Sequence, residues 1–356
     1  MTLRFIAVLI ALPVCGAMSA CDPVAERPID ASDAADDPGT EDDAGDASEA
    51  AEDATGEASE AAEDAAGDTG GEADDGDDAE VTDVPPEPTF EDDFEADDSL
   101  WDLQLNSPGV IRFAVPSADA DDARSVTITL AGDVALTHAD YVAPESANQI
   151  STRERLAFGT YRARFRAAAC ASPALEEVVT GVFVYSNDGL DLNGNDLIDN
   201  NEIDIEITCS APSVLWLTIW TDYTDDTSFR KVTRRIDAAT GRVLQTRAGG
   251  EGSWDVDDDL GTPIPELPLP GFDATASFHE MGFEWQPDRV RFFLVSGGDE
   301  IELWSWEQGA LIPQVPANFM FNAWHADPQW DDDGGEADYP ASDSVLEADW
   351  IRYWAP

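Results

Sequence analysis

Glu202-Ile203-Asp204-Ile205-Glu206 alternates acidic and apolar residues without a break. A period of two marks a β-strand, on which side chains two apart share a face. Glu202, Asp204 and Glu206 therefore project from one side, and Ile203, Ile205 and Ile207 from the other. Three like charges on one strand face repel one another, which raises the pKa of at least one of them. Such an arrangement is a candidate functional site; the plainer reading is a solvated strand face or a cation site. A carboxyl held protonated beside a carboxylate held ionised is the pair that cleaves a glycosidic bond.

The surrounding sequence repeats the same style. Short alternating runs recur at Ser125–Leu130, Thr160–Ala167, Gly181–Tyr185, Glu202–Thr208, Val214–Trp220, Arg289–Val295 and Trp350–Trp354, with turn-rich stretches between them. No long segment sustains a helical period, and all 11 tryptophans lie beyond residue 100. The predicted fold class is all-β, a two-sheet antiparallel β-sandwich of jelly-roll size over residues 90–356.

The rest of the chain is of another kind. Residues 1–21 read as a signal peptide: Arg4 precedes an apolar run, Phe5 to Val14, that is too short to span a membrane as a mature helix. Met18-Ser19-Ala20-Cys21 resembles a bacterial lipoprotein cleavage site, with Cys21 as the acylated first residue and Met18 where Leu is commonest; ordinary cleavage near Ala20 is the alternative. A lipid on Cys21 predicts an exported protein held on the cell envelope or cell surface, and ordinary cleavage predicts a secreted one. Residues 22–89 carry 26 acidic residues and one base, Arg27, and lack aromatics. They read as a disordered acidic linker, in which Ser48–Ala54 recurs as Ser59–Ala65. As a coil it spans about 45 Å, more with self-repulsion.

The net charge of −58, from 76 acids and 18 bases, makes nucleic acid and anionic membrane surfaces poor partners. It also weakly favours a neutral polysaccharide over a sulfated or uronic one, unless the cleft is locally basic. Lys231 is the single lysine. His138, His279 and His325 show no zinc spacing, and neither a phosphate loop nor a Ser–His–Asp arrangement is present. Cys170 and Cys209 are the cysteines left after the leader, and export predicts that they form a disulfide.

Several segments, taken in order, resemble glycoside hydrolase family 16, the laminarinase and lichenase group. They are Phe90-Glu91-Asp92-Asp93-Phe94 with Trp101, Phe158-Gly159-Thr160-Tyr161-Arg162-Ala163-Arg164, Gly181–Tyr185, the acidic strand, Phe278-His279-Glu280 with Phe283-Glu284-Trp285, Phe321-Asn322-Ala323-Trp324, and Asp349–Tyr353. The resemblance implies a concanavalin A-like jelly roll and a retaining endo-glycoside hydrolase with Glu202 as nucleophile, Glu206 as general acid/base and Asp204 as helper. It points to β-1,3- or mixed β-1,3/1,4-glucan as substrate. It matches Asn322 and Trp324 to substrate-contacting positions; Trp220 and Trp330 join them as stacking candidates by placement alone. It also implies a structural calcium held by Asp349 through its side chain and by Asp93 and Gly159 through their carbonyls.

A second calcium candidate is local. Asp191, Asn193, Asn195 and Asp199 have the oxygen spacing of a calcium loop, although Asp196 stands at the turn-glycine position. An ordinary polar loop is the plainer reading there. Catalysis itself is expected to need no cofactor, and the domain is expected to be a monomer. Two competitors stay open: an envelope transglycosylase with the same acids, and a carbohydrate-binding jelly roll without catalysis.

Overall fold

The structure, a computed structural model, describes residues 86–96, 98–133, 147–173, 176–192, 194, 196–223, 229–249, 254–255, 261–307, 311–326 and 340–356. The leader, Cys21, nearly all of the linker, Asn193, Asn195 and Trp330 lie outside these residues.

The described elements are all strands, in two antiparallel sheets. The first sheet holds β1 (Phe90–Asp92), β3 (Gly109–Pro116), β4 (Arg124–Leu130), β6 (Gly159–Arg166), β13 (His279–Gln286), β14 (Arg289–Ser296), β15 (Asp299–Trp306) and β17 (Ser344–Trp354). Its order is β15-β14-β13-β6-β17-β4-β3, with β1 also paired to β17. The second holds β2 (Trp101–Leu105), β5 (Asn148–Leu156), β7 (Val178–Ser186), β8 (Asp199–Thr208), β9 (Val214–Tyr223), β10 (Phe229–Asp237), β11 (Arg242–Gly249), β12 (Trp254–Asp255) and β16 (Ala317–His325). Its order is β12-β11-β10-β9-β8-β7-β16-β5-β2. This is the jelly-roll sandwich expected from the alternation, and each of the seven alternating runs lies on a strand, with Ala167 one residue past the end of β6.

The core fills the space between the sheets. Tyr161 of β6 stacks on Phe283 of β13 at 4.8 Å and reaches Phe319 of β16, in the other sheet, at 6.2 Å. Ile203, Ile205 and Ile207 of β8 are at most 1% exposed and join the same core. Each buried Ile contributes about 1.5–3 kcal/mol. A one-residue slip of β8 would turn all three outward and bring three carboxyls into the core, so burial fixes the register of the acidic face. Cys170 and Cys209 form a disulfide across 39 residues with Cα atoms 5.5 Å apart. It ties the segment after β6 to the end of β8.

Arg162, Arg164 and Arg166 share one face of β6 and form an ion-pair ladder. These residues pair with Glu280, Asp349 and Glu347, which project from the strands flanking β6. This ladder corrects the calcium expectation. The Asp349 carboxylate accepts from Arg164 and from the Asp121 amide. Asp93 faces Arg352, and Gly159 lies beyond the Thr160–Trp354 pair, five residues along β17 from Asp349. At about 3.3 Å per residue that is roughly 16 Å, so the three do not assemble as a ligand set.

The loop before β8 closes on its own backbone. Asp191 accepts from the amides of Gly194 and Asp196, and buried Asp199 from that of Leu192. Among the described residues no group of three His, Cys, Asp or Glu side chains gathers as a metal site.

Candidate active site

β8 lies in the middle of the nine-stranded sheet, between β7 and β9. Cross-strand partners share a face, so the pairings map the surface around the acids. Glu202 lies between Tyr185 and Trp220, Asp204 between Phe183 and Thr218, and Glu206 between Gly181 and Trp216. The rows run outward from there. Gly181 pairs with Asn322 of β16, whereas Trp220, Thr218 and Trp216 pair with Lys231, Thr233 and Arg235 of β10.

Asp204 is 3% exposed, and Glu202 and Glu206 are partly buried. Burial raises all three pKa values, because a carboxylate loses more solvation than a carboxylic acid. Glu202 rises to about 7. The side-chain amide of Asn200, which donates to Glu202 Oε2 at 2.9 Å, and the Lys231 charge oppose that rise. Glu206 rises to about 8, through burial and then the Glu202 charge, again opposed by Lys231. Asp204 stands well above the usual carboxylate range through burial and the charges of both glutamates, and it shares a hydrogen bond with Glu202. The three carboxyls therefore titrate as a coupled set, well above the usual carboxylate range. Near neutral pH a carboxylate and a carboxylic acid stand four residues apart on one face.

Asn322 reaches this row beside Gly181. It is 8% exposed, and its Oδ1 has no hydrogen-bond partner among the described residues. Trp324 lies on the same face one pair further along, opposite Val179, but is 3% exposed and packs with Ala147, Val179 and Ala326. Trp220 is likewise 3% exposed, with the Lys231 ammonium 4.4 Å from its ring centroid. Both tryptophans flank the acids, but as walls that are closed in rather than as open stacking platforms. Trp285 and Trp350 are buried, while Trp354 is half-buried.

Sequence reasoning missed Tyr185, Thr218, Trp216 and Lys231, which share the face of the acids. Strand alternation in 214–220 held the signal for Trp216 and Thr218. Lys231 had none, because its placement depends on a bulge at Thr221, the residue skipped where the register of β9 against β10 shifts.

Residues 262–350 match the model of the glycosyl hydrolases family 16. This is the family that the motifs resemble, and the matched span contains two of the motif segments, Phe278–Trp285 and Phe321–Trp324, and the start of a third at Asp349, though not Glu202–Glu206.

Solved structures similar to this chain include a prokaryotic beta-1,3-1,4-glucanase (lichenase) from a mouse hindgut metagenome, at 18% identity and TM-score 0.42, over 74% of this chain and 98% of that one. An endo-1,3-beta-glucanase (laminarinase) catalytic domain from Thermotoga petrophila RKU-1 is 13% identical at TM-score 0.45, over 76% and 97%. A Crh5 transglycosylase in complex with NAG is 16% identical at TM-score 0.43, over 76% and 87%. No curated protein matches the chain.

Proposed function

We propose that this protein is a retaining endo-glycoside hydrolase of polysaccharides, with β-1,3- or β-1,3/1,4-glucan as its substrate. The observation that carries this is the pair of glutamates on one strand face with Asp204 between them, each raised above the usual carboxylate range by burial. In the first step a Glu202 carboxylate oxygen bonds to the anomeric carbon as the glycosidic C–O bond breaks. The leaving oxygen takes the Glu206 proton. In the second step the Glu206 carboxylate takes a proton from water, whose oxygen bonds to the anomeric carbon and releases Glu202. Asp204, largely protonated, donates toward Glu202 and keeps a third negative charge out of the site. Asn322 offers its unpartnered carbonyl oxygen to a sugar hydroxyl.

In this reading the leader and the acidic linker deliver the domain to the cell envelope, with lipid on Cys21. That part rests on the sequence alone.

Reducing-sugar release by the full chain on laminarin, lichenan, agarose and carrageenan tests the reaction, with Glu202→Gln and Glu206→Gln alongside. Activity on a glucan that both substitutions abolish, with the β-anomer as first product by NMR, is the expected result. Products longer than the substrate would assign a sugar hydroxyl, not water, as the acceptor. Release unaffected by either substitution would overturn the site.

A further inference from the structure

The one lysine of this chain stands in the row of its candidate nucleophile. Glu202 pairs with Trp220, and Trp220 with Lys231. The register shift that achieves this lies between Arg230 and Lys231: Arg230 pairs with Asp222, Lys231 with Trp220, and Thr221 is passed over. The β8–β9 register shifts at the same height, between Asp199 and Glu202. Bulges of this kind re-aim side chains, and here two of them bring an ammonium onto the face of three carboxyls. The ammonium rests on the Trp220 ring at 4.4 Å, a cation–π contact that fixes its position. In an acidic chain, a cation placed this way beside a candidate nucleophile has a chemical reading.

We propose that Lys231 is a positioning residue for Glu202: held on Trp220, its ammonium supplies the counter-charge that the nucleophilic carboxylate needs. The inference rests on the glycosidase reading above. The charge acts on the whole set, since Lys231 favours the ionised form of Glu202, Asp204 and Glu206 alike. The other titratable or charged groups around this row are Tyr185 on β7, Asp199 on β8, Asp222 on β9, Arg230 and Arg235 on β10, and Arg247 on β11. Removing the lysine leaves all of these in place, so its effect is separable.

Two strand spacings put Lys231 and Glu202 about 10 Å apart at the backbone. At an effective dielectric of about 20, one charge at that distance moves a carboxyl by about one pH unit. The test is the carboxyl titration of Glu202 by 13C NMR in the full chain, assigned by the signal lost in Glu202→Gln. It is read alongside kcat/KM against pH on laminarin. In Lys231→Met the Glu202 midpoint and the acidic limb move up by about one unit, so kcat/KM falls about tenfold below the limb and little above it. Lys231→Arg restores both.

Because Lys231 is the single lysine, acetic anhydride on the folded protein neutralises the same charge without a substitution. The Lys231→Arg chain, which keeps only its N-terminal amine, is the control. An unmoved Glu202 midpoint overturns the proposal, as does a loss of activity by one factor at every pH, which marks a packing role. A shifted midpoint in a chain that hydrolyses none of the glycans would uphold the charge coupling and overturn the glycosidase reading instead.

Discussion

Gly181 is the point where the site can be perturbed with the clearest arithmetic. It lies between Glu206 and Asn322 in the register of the sheet. A Cβ there would stand 2.4 Å from Asn322 Oδ1 and 3.3 Å from Phe183 Cδ1. The obstruction at 2.4 Å is the end of a short side chain, so Asn322 must turn away while the backbone stays. Overpacking of this size costs about 1–3 kcal/mol, or roughly 2–10 °C in the melting temperature of a domain this large. The displaced amide also loses its aim at a substrate hydroxyl, which lowers kcat/KM by about tenfold.

The Asn322→Ala background isolates the cause. With Asn322 cut back to its Cβ, the methyl group added at position 181 no longer meets Oδ1, so Gly181→Ala should add little further loss of stability or activity. The double-mutant cycle therefore carries a coupling of about the full single-mutant effect. Thermal melts and sugar release on the same four proteins give both numbers. If Gly181→Ala is as damaging in the Asn322→Ala background as in the wild type, the reasoning fails, and the glycine serves Glu206 or the sheet rather than Asn322.

The two remaining predictions concern charge. With Glu202 required ionised and Glu206 protonated, midpoints of about 7 and about 8 give a narrow bell of kcat/KM with its maximum near pH 7.5 and a loss of about 20-fold by pH 5.5; a flat profile across that interval would remove the glutamates from the reaction. Stability should follow the opposite sign to an ion-paired acid. The pKa of Glu206 is about 8 in the fold against an ordinary 4.5, so its contribution is fully present below pH 4.5 and is lost as the pH rises through 8. Glu206→Gln escapes that loss, so its stability relative to wild type should rise between pH 5 and pH 9 by on the order of 2–4 kcal/mol. Denaturant melts at the two pH values check this, and a constant difference would mean that the carboxyl is solvated.

What was legible in the sequence was whatever one strand decides for itself. Alternation in 202–208 placed three isoleucines in the core and three acids on the opposite face, and burial holds them there. Alternation also placed Arg162, Arg164 and Arg166 on one face, but not what faces them. Glu280 and Glu347 arrive from β13 and β17, over a hundred residues away. The ligand set of Asp349, Asp93 and Gly159 was out of reach for the same reason: Asp349 matches a motif position, while Arg164, its partner, stands on another strand.

The tryptophans show a further limit. Placement marked Trp220, and the family resemblance Trp324, as sugar-contacting, but exposure depends on what covers a ring, and Lys231 covers one of them. Lys231 itself was visible as a count of one and invisible as a position. A register shift of a single residue at Thr221 decides whether its ammonium faces the acids or the sandwich interior. Strand pattern therefore names the groups that do chemistry, and bulges decide which charges they do it beside; the second kind of information lies in the pairing of strands and in no one of them.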